Sequence, residues 1–355
     1  PLETSDNIMD CIPLPDLVAL GKTCKQSRID VTKYKERVFS IQHAYRNFFS
    51  VEEIAEFQML QQSIGLLVSG SIALEFFNRE AYDGDLDAFC NVQHCKVAGE
   101  WLMSHGYLYQ CKEGQAVEFI DSFAETSITS TTIDADPEEY RSNTVAAVWD
   151  FVRSSSKIQL IATCDAPLEC IFSFHSTCVM NVLTHRAAYC LFSKLTLEDK
   201  TTMLIDTQPP LTQREMYPIQ KYKNRGFSIM HRPTFRLICD PSSSISVLTP
   251  RYIGDKHCYR IPFRRPYAGT DAVDFLELNS WTMAYVTNYN TINITVLDIP
   301  GAVVNCVFGP QNLAQVRTQL SSIKTLIRSG VLRYEKASRI RYKHMLILSL
   351  GLMLL

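Results

Sequence analysis

The chain has 355 residues, of which 46% are hydrophobic and 20% charged, and its formal net charge is −2. This composition fits a globular protein with room for two or three domains. It excludes a low-complexity disordered chain and argues against nucleic-acid binding through bulk positive charge. The twelve cysteines include no Cys-x-x-Cys pair, so they read as reduced, mostly buried thiols of a cytoplasmic or nuclear protein. His94-Cys95 lacks the second half that a zinc site needs.

From Ile8 to Asp30, Pro13 and Pro15 punctuate a turn, Asp16 is placed to cap, and Leu17, Val18, Leu20 and Cys24 begin an apolar helical stripe. Thr32 to Phe57 continues as helix, with Tyr34, Val38, Ile41, Tyr45, Phe48 and Phe49 packing against neighbours. Ile64 to Val68 is a short apolar strand, Ser69-Gly70-Ser71 a tight turn, and Ile72, Ala73, Leu74, Phe76 and Phe77 fall at helical spacing. Gly70 lets a bound group approach the backbone, and Ser71 can cap the helix and offer its hydroxyl, so the turn suits a phosphate. Asp85-Leu86-Asp87-Ala88-Phe89 reads as a strand whose alternation sends Asp85 and Asp87 to one face and Leu86 to the core. Two adjacent carboxylates repel unless a cation lies between them, and oxygen ligands suit magnesium.

Further along, Cys95 to Gly106 has helical spacing, Ala116 to Ser122 reads as a strand, Glu125 to Asn143 as an exposed loop and Lys157 to Ala162 as a strand. Gln213 to Arg225 reads as a helix whose Lys221, Lys223 and Arg225 either meet phosphate or form a solvated face. His175 is open to two readings, a metal ligand or base opposite the aspartates, or a partly buried histidine with one satisfied hydrogen bond. Between Phe235 and Phe308, the runs Ile245 to Leu248, Trp281 to Val286 and Ile292 to Leu297 imply an appended antiparallel sheet. Asn293-Ile294-Thr295 is a glycosylation sequon on paper only. A helix from Gln311 to Ser329, a basic stretch from Arg333 to Lys343 and the apolar tail Met345 to Leu355 close the chain; the tail is too short to span a bilayer, so no transmembrane segment is expected.

The order hydrophobic-Gly70-Ser71, then Asp85-hydrophobic-Asp87-hydrophobic, resembles the signature of polymerase-beta-like nucleotidyltransferases. Residues 8 to 30 resemble the second half of an F-box. Pro167 to Met180 and Lys221-Tyr222-Lys223-Asn224-Arg225-Gly226-Phe227 are similar to segments of fungal F-box-like proteins that carry the same Gly-Ser and Asp-x-Asp elements. The resemblance implies an α+β chain: an F-box-like segment at 1–50, a nucleotidyltransferase-like mixed sheet with flanking helices at 51–232, and a β-rich extension with a terminal helix at 233–355. It implies catalytic, magnesium-holding Asp85 and Asp87, a nucleoside triphosphate held at Gly70 and Ser71 with Lys221 and Arg225, and a Skp-type adaptor docked on residues 8–30.

A third carboxylate is expected on a later strand of such a fold, where Gln159 stands. An amide cannot take a proton at neutral pH, and Glu118 or Asp121 are the possible substitutes. Two expectations follow. Gln159 favours a degenerate, adaptor-type binding module, whereas the intact Gly-Ser and Asp-x-Asp elements favour magnesium-dependent transfer of a nucleoside monophosphate to an acceptor.

Overall fold

The computed structural model describes residues 2–308 apart from 83, 133–143, 208–209, 250, 264–273, 286–289, 294 and 298–305. The helix expected at 311–329, the basic stretch at 333–343 and the apolar tail therefore lie outside the described residues.

Five helices lead into the sheet: α1 (Leu2–Asp10), α2 (Leu14–Leu20), α3 (Lys25–Val38), α4 (Ile41–Tyr45) and α5 (Val51–Ile64). The continuous helix expected from Thr32 to Phe57 is broken twice, because serines outside the helices cap new ones. Ser40 accepts from the His43 N–H to start α4, and Ser50 forms a reciprocal capping box with Glu53 to start α5. Asp16 lies in the first turn of α2 rather than at its cap, and Cys24 leaves the expected stripe to cap α3, its sulfur accepting from the Ser27 N–H. Gly65, at φ 68°, ends α5 in the left-handed region, so Ile64 belongs to the helix and the strand begins at Leu67.

The chain then forms β1 (Leu67–Ser69), α6 (Gly70–Asn78), β2 (Leu86–Asn91), α7 (Val92–Ser104), β3 (Leu108–Gln110), α8 (Phe119–Thr132), β4 (Val145–Arg153) and β5 (Ser156–Thr163). It continues through α9 (Pro167–Phe172), β6 (Asn181–Leu183), β7 (Ala187–Cys190), β8 (Thr201–Met203), α10 (Gln213–Asn224), β9 (Ser228–Met230) and α11 (Phe235–Ile238). The last described elements are β10 (Arg251–Tyr252), β11 (Tyr259–Pro262), β12 (Ser280–Tyr285), β13 (Asn290–Asn293), β14 (Thr295–Leu297) and β15 (Cys306–Phe308).

Two strand expectations fail. Ala116 to Ser122 mostly enters α8, which also takes in Glu125 to Thr132. Phe119 on that helix packs edge-on against Trp149 and Phe151, at ring distances of 5.4 and 5.2 Å, and its ring fills the space a side chain at Gly99 of α7 would need. Ile245 to Leu248 is a turn, because the hydroxyls of Ser243 and Ser246 accept from the nearby Ile245 and Leu248 N–H groups that a ladder would otherwise use.

The central sheet is mixed and has eight strands in the order β11-β7-β6-β1-β2-β5-β4-β3. Strands β2 and β5 run parallel and the other pairs are antiparallel. Alternation divides its side chains between two cores. Leu86, Ala88, Ile158, Leu160, Trp149 and Phe151 join a core shared with the N-terminal helices, whereas Leu67, Phe89 and Ile161 join the core built with α9 and β12. The segment after 232 contributes β11 to the sheet edge and a separate antiparallel three-stranded sheet, β10-β12-β13. Among the described residues no helix is long and apolar enough to cross a membrane.

Arg251 ties that outer sheet to the body. It is 1% exposed, lies 4.8 Å from the Trp281 ring and 5.2 Å from the Phe192 ring, donates to the carbonyls of Ser244 and Leu191 at 2.7 Å, and pairs with the buried Asp255. Replacing Arg251 with Met would strand the Asp255 carboxylate in the interior. We expect urea unfolding of Arg251→Met to show a loss of about 3–5 kcal/mol, with part recovered in the Arg251→Met, Asp255→Asn double variant.

Candidate functional site

The site grows from the β1–α6 turn. Ser69 pairs with Asp87 across β1 and β2, and the next residue, Gly70, has φ 76°. A Cβ built on Gly70 would lie 2.2 Å from Asp87 Oδ2, so the carboxylate rests against the glycine backbone. Glycine is required here on two counts, the left-handed φ and the close approach. Gly84 makes a second close approach: its missing Cβ would lie 3.3 Å from the Ser71 Cβ.

Ser71 does not cap α6. The N-cap is Ser69, which makes no side-chain capping bond and instead donates its hydroxyl to the Asn181 carbonyl at 2.7 Å. The first turn of α6 is therefore left without a side-chain cap, and Ser71, just inside it, is free to meet other groups. Lys221 and Arg225 supply them: Lys221 Nζ lies 3.5 Å and Arg225 Nη1 3.3 Å from Ser71 Oγ. Lys221 lies in the last turn of α10 and Arg225 directly follows its end, with the Arg225 N–H still bonded to the Lys221 carbonyl at 3.2 Å, so the two keep i, i+4 spacing and share a face. Tyr222 between them is buried with Leu74, Cys178, Val179 and Phe227 and holds that face against α6. The Arg225 guanidinium also stacks 3.7 Å over Tyr82. The charge run thus divides: the exposed Lys221 and the half-buried Arg225 meet at the Ser71 hydroxyl, whereas Lys223 is exposed on another side.

The carboxylates occupy one sheet face, as alternation requires, but they differ in partners. Asp85, just before β2, pairs with Lys157 Nζ at 2.8 Å, and the same ammonium reaches Asp150 at 3.5 Å. Asp150 pairs with Lys112 at 2.7 Å and accepts from Gln159 Nε2 at 3.1 Å. Among the described residues Asp87 accepts no hydrogen bond and enters no ion pair. Burial, reinforced by the Asp85 charge, pushes its carboxyl up to about 7. The hydrogen bond to Asp85 raises Lys157, whereas partial desolvation and then the neighbouring Arg225 lower Lys221.

Gln159 does lie beside Asp87, paired across the parallel β2–β5 ladder. Neither expected substitute reaches it. Glu118 is exposed ahead of α8 and Asp121 is exposed in that helix's first turn, and α8 packs through Phe119 on the sheet face opposite the aspartates. The third carboxylate on the face is Asp150. It is legible only through register: the β4–β5 hairpin turns at Ser154-Ser155, and counting outward from that turn sets Asp150 opposite Gln159. A Ser-Ser turn carries little hairpin signal, and Lys157 and Gly84 stood out no better.

His175 lies against Tyr222, 5.7 Å between rings, and its Nε2 is buried with no hydrogen-bond partner among the described residues. Burial, with Lys221 adding to it, lowers His175 to about 4, so it is neutral at physiological pH and too weak a base there.

Asp85 and Asp87 present the hard oxygen donors that magnesium prefers. Lys157 already compensates Asp85, and Asp87 is the carboxylate left in need of a cation, so the donor set fits one magnesium ion. Among the described residues no group of three or more His, Cys, Asp or Glu side chains is arranged to hold a metal.

Asp87 also dictates a pH dependence. Its folded-state pKa of about 7 lies above the ordinary 3.8, so the folded protein holds a proton the unfolded chain releases. The stability this contributes is complete below about pH 4 and is lost as pH rises through 7. We expect Asp87→Asn to be more stable than the native chain at pH 8 and the gap to close toward pH 4, as read by thermal melts across that range. Comparison of the chain with protein-family models, with curated proteins and with solved structures gives no match.

Proposed function

We propose that this chain is a nucleoside-triphosphate-binding protein built on a nucleotidyltransferase-like core whose catalytic carboxylate set is degenerate. The observation that carries this reading is the meeting of Lys221 and Arg225 at the Ser71 hydroxyl, on a helix start without a side-chain cap. Two cations and free backbone N–H groups around one hydroxyl suit a phosphate chain. Asp87, beside the same turn and short of a counter-ion, would hold the magnesium that accompanies a triphosphate; when bound, that ion offsets the repulsion between carboxylate and phosphates. Lys157 and Gln159 support degeneracy. A protein ammonium already serves Asp85 and Asp150, and the position beside Asp87 bears an amide that takes no proton at neutral pH.

A partner-presenting role fits a binding module, and the F-box-like span 8–30 would be its adaptor surface. Leu14 and Leu17 of that span are turned into the core, and Ile8 and Ile29 are its exposed large apolar side chains among the described residues. The F-box element thus supports a packed cap more than a broad apolar docking face. One observation favours the second reading, magnesium-dependent nucleotidyl transfer: Asp85 and Asp87 lie on one sheet face beside the Gly70-Ser71 turn, the placement such a transfer needs to hold its ions.

Calorimetric titration with each common nucleoside triphosphate, with and without magnesium, tests the proposal. We expect magnesium-enhanced binding, weakened at least tenfold in Lys221→Ala, Arg225→Ala, and a loss of the magnesium enhancement in Asp87→Asn. Failure of all four triphosphates to bind would contradict it. Incubation with α-phosphate-labelled nucleotide separates the two readings: the binding module leaves no covalent label on any acceptor, whereas transfer would deposit label that Asp87→Asn abolishes.

A further inference from the structure

A second charged feature lies away from the nucleotide site, in the groove of about 640 Å³ between α2 and α3. Its floor carries Val18 and Val31, and its walls carry Lys22, Lys25, Arg28 and Lys35, with no acidic side chain among the lining residues. Lys25, Arg28 and Lys35 fall at i, i+3 and i+10 of α3, which is one helical face. Among the described residues Lys22, Lys25 and Arg28 enter no ion pair, and Lys35 is positioned by a 3.3 Å bond from its ammonium to the Tyr259 hydroxyl. A chain with net charge −2 thus gathers four cations in one concave place. Nothing in the fold requires this, since α3 is already anchored by its buried Val31 and Tyr34.

We propose that the α2–α3 groove docks an acidic segment of a partner protein, with carboxylates on the lysine and arginine wall and a small apolar side chain over the half-buried Val18. Length favours a peptide. Ten helical residues separate Lys25 from Lys35, so the cations extend over about 15 Å, too far for one phosphate and equal to about five extended residues. Shape argues against a membrane surface, because the cations line a concavity rather than a plane. The apolar floor argues against a nucleic-acid strand, which offers no aliphatic side chain to bury there. The inference is independent of the nucleotide site, since none of its residues touches the β1–α6 turn.

The test uses the full chain and a fluorescein-labelled peptide alternating Glu and Leu, followed by fluorescence anisotropy. We expect saturable binding that falls at least tenfold in Lys25→Glu, Arg28→Glu and likewise in the Gln-for-Glu peptide. It should persist in Lys33→Glu, an exposed change on the same helix outside the groove. Cys24 gives a local readout. Its exposed thiol lines the groove, and its hydrogen bonds with Ser27 lower its pKa, so bound peptide should slow alkylation of Cys24 but not of the exposed Cys111. Absence of binding, equal loss in Lys33→Glu, or unchanged alkylation of Cys24 would overturn the proposal. So would tighter binding at the groove by phosphatidylserine vesicles or by a single-stranded oligonucleotide. Circular dichroism of each variant verifies the fold, and normal triphosphate binding by Lys25→Glu, Arg28→Glu would confine the effect to the groove.

Discussion

The contact of the Asp87 carboxylate with Gly70 sets the terms for the site. A side chain at Gly70 would overlap that carboxylate, and the backbone there adopts a left-handed φ. The β1–α6 turn can therefore close only with glycine at 70. Closing it brings the start of α6, Ser71 and the Asp87 carboxylate to one place. The acid is buried and repelled by Asp85, so it favours its protonated form up to about neutral pH. A fold selected for stability alone would be expected to pair such a carboxylate. Its neighbour Asp85 is paired in this way by Lys157, and this asymmetry between two residues of one motif is the main argument for a ligand at Asp87.

Cations on the other side of the turn complete the logic. Helix α10 would be a solvated rod if its charges were evenly spread, but Tyr222 fixes one face against Leu74, and that face carries Lys221 and Arg225 to Ser71. Packing and charge thus act together: an aromatic anchor sets the position, and the flanking cations follow it. Stacking of Arg225 on Tyr82 restricts it further, since a planar guanidinium on a ring loses less freedom on binding than a free one.

Local signals carried the order strand, turn, helix around Gly70, though not the start of the strand. They also carried the same-face placement of Asp85 and Asp87, the strand around Gln159 and the helix that ends one residue short of Arg225. Each depends on a few adjacent residues and a period of two or 3.6. Some errors arose where contacts distant in sequence decide, and others where a serine hydroxyl two or three residues away does. Ala116 to Ser122 has strand-like composition, yet Phe119 is taken into a helix by Trp149 and Phe151. Asp150 reaches the carboxylate face through a hairpin register that no local motif announces, and Lys157 was visible as part of a strand but not as the cation for Asp85. Serine caps at Ser40 and Ser50 divided a helix that hydrophobic spacing alone ran together.

We propose that Lys157 substitutes for one cation and leaves a place for a single divalent ion at Asp87. Electron paramagnetic resonance of manganese, used in place of magnesium and titrated into the protein with a non-hydrolysable nucleoside triphosphate, counts that ion directly. We expect one bound manganese per chain, lost in Asp87→Asn and raised to two in Lys157→Ala. Two ions in the native chain, or one ion unaffected by Asp87→Asn, would contradict it.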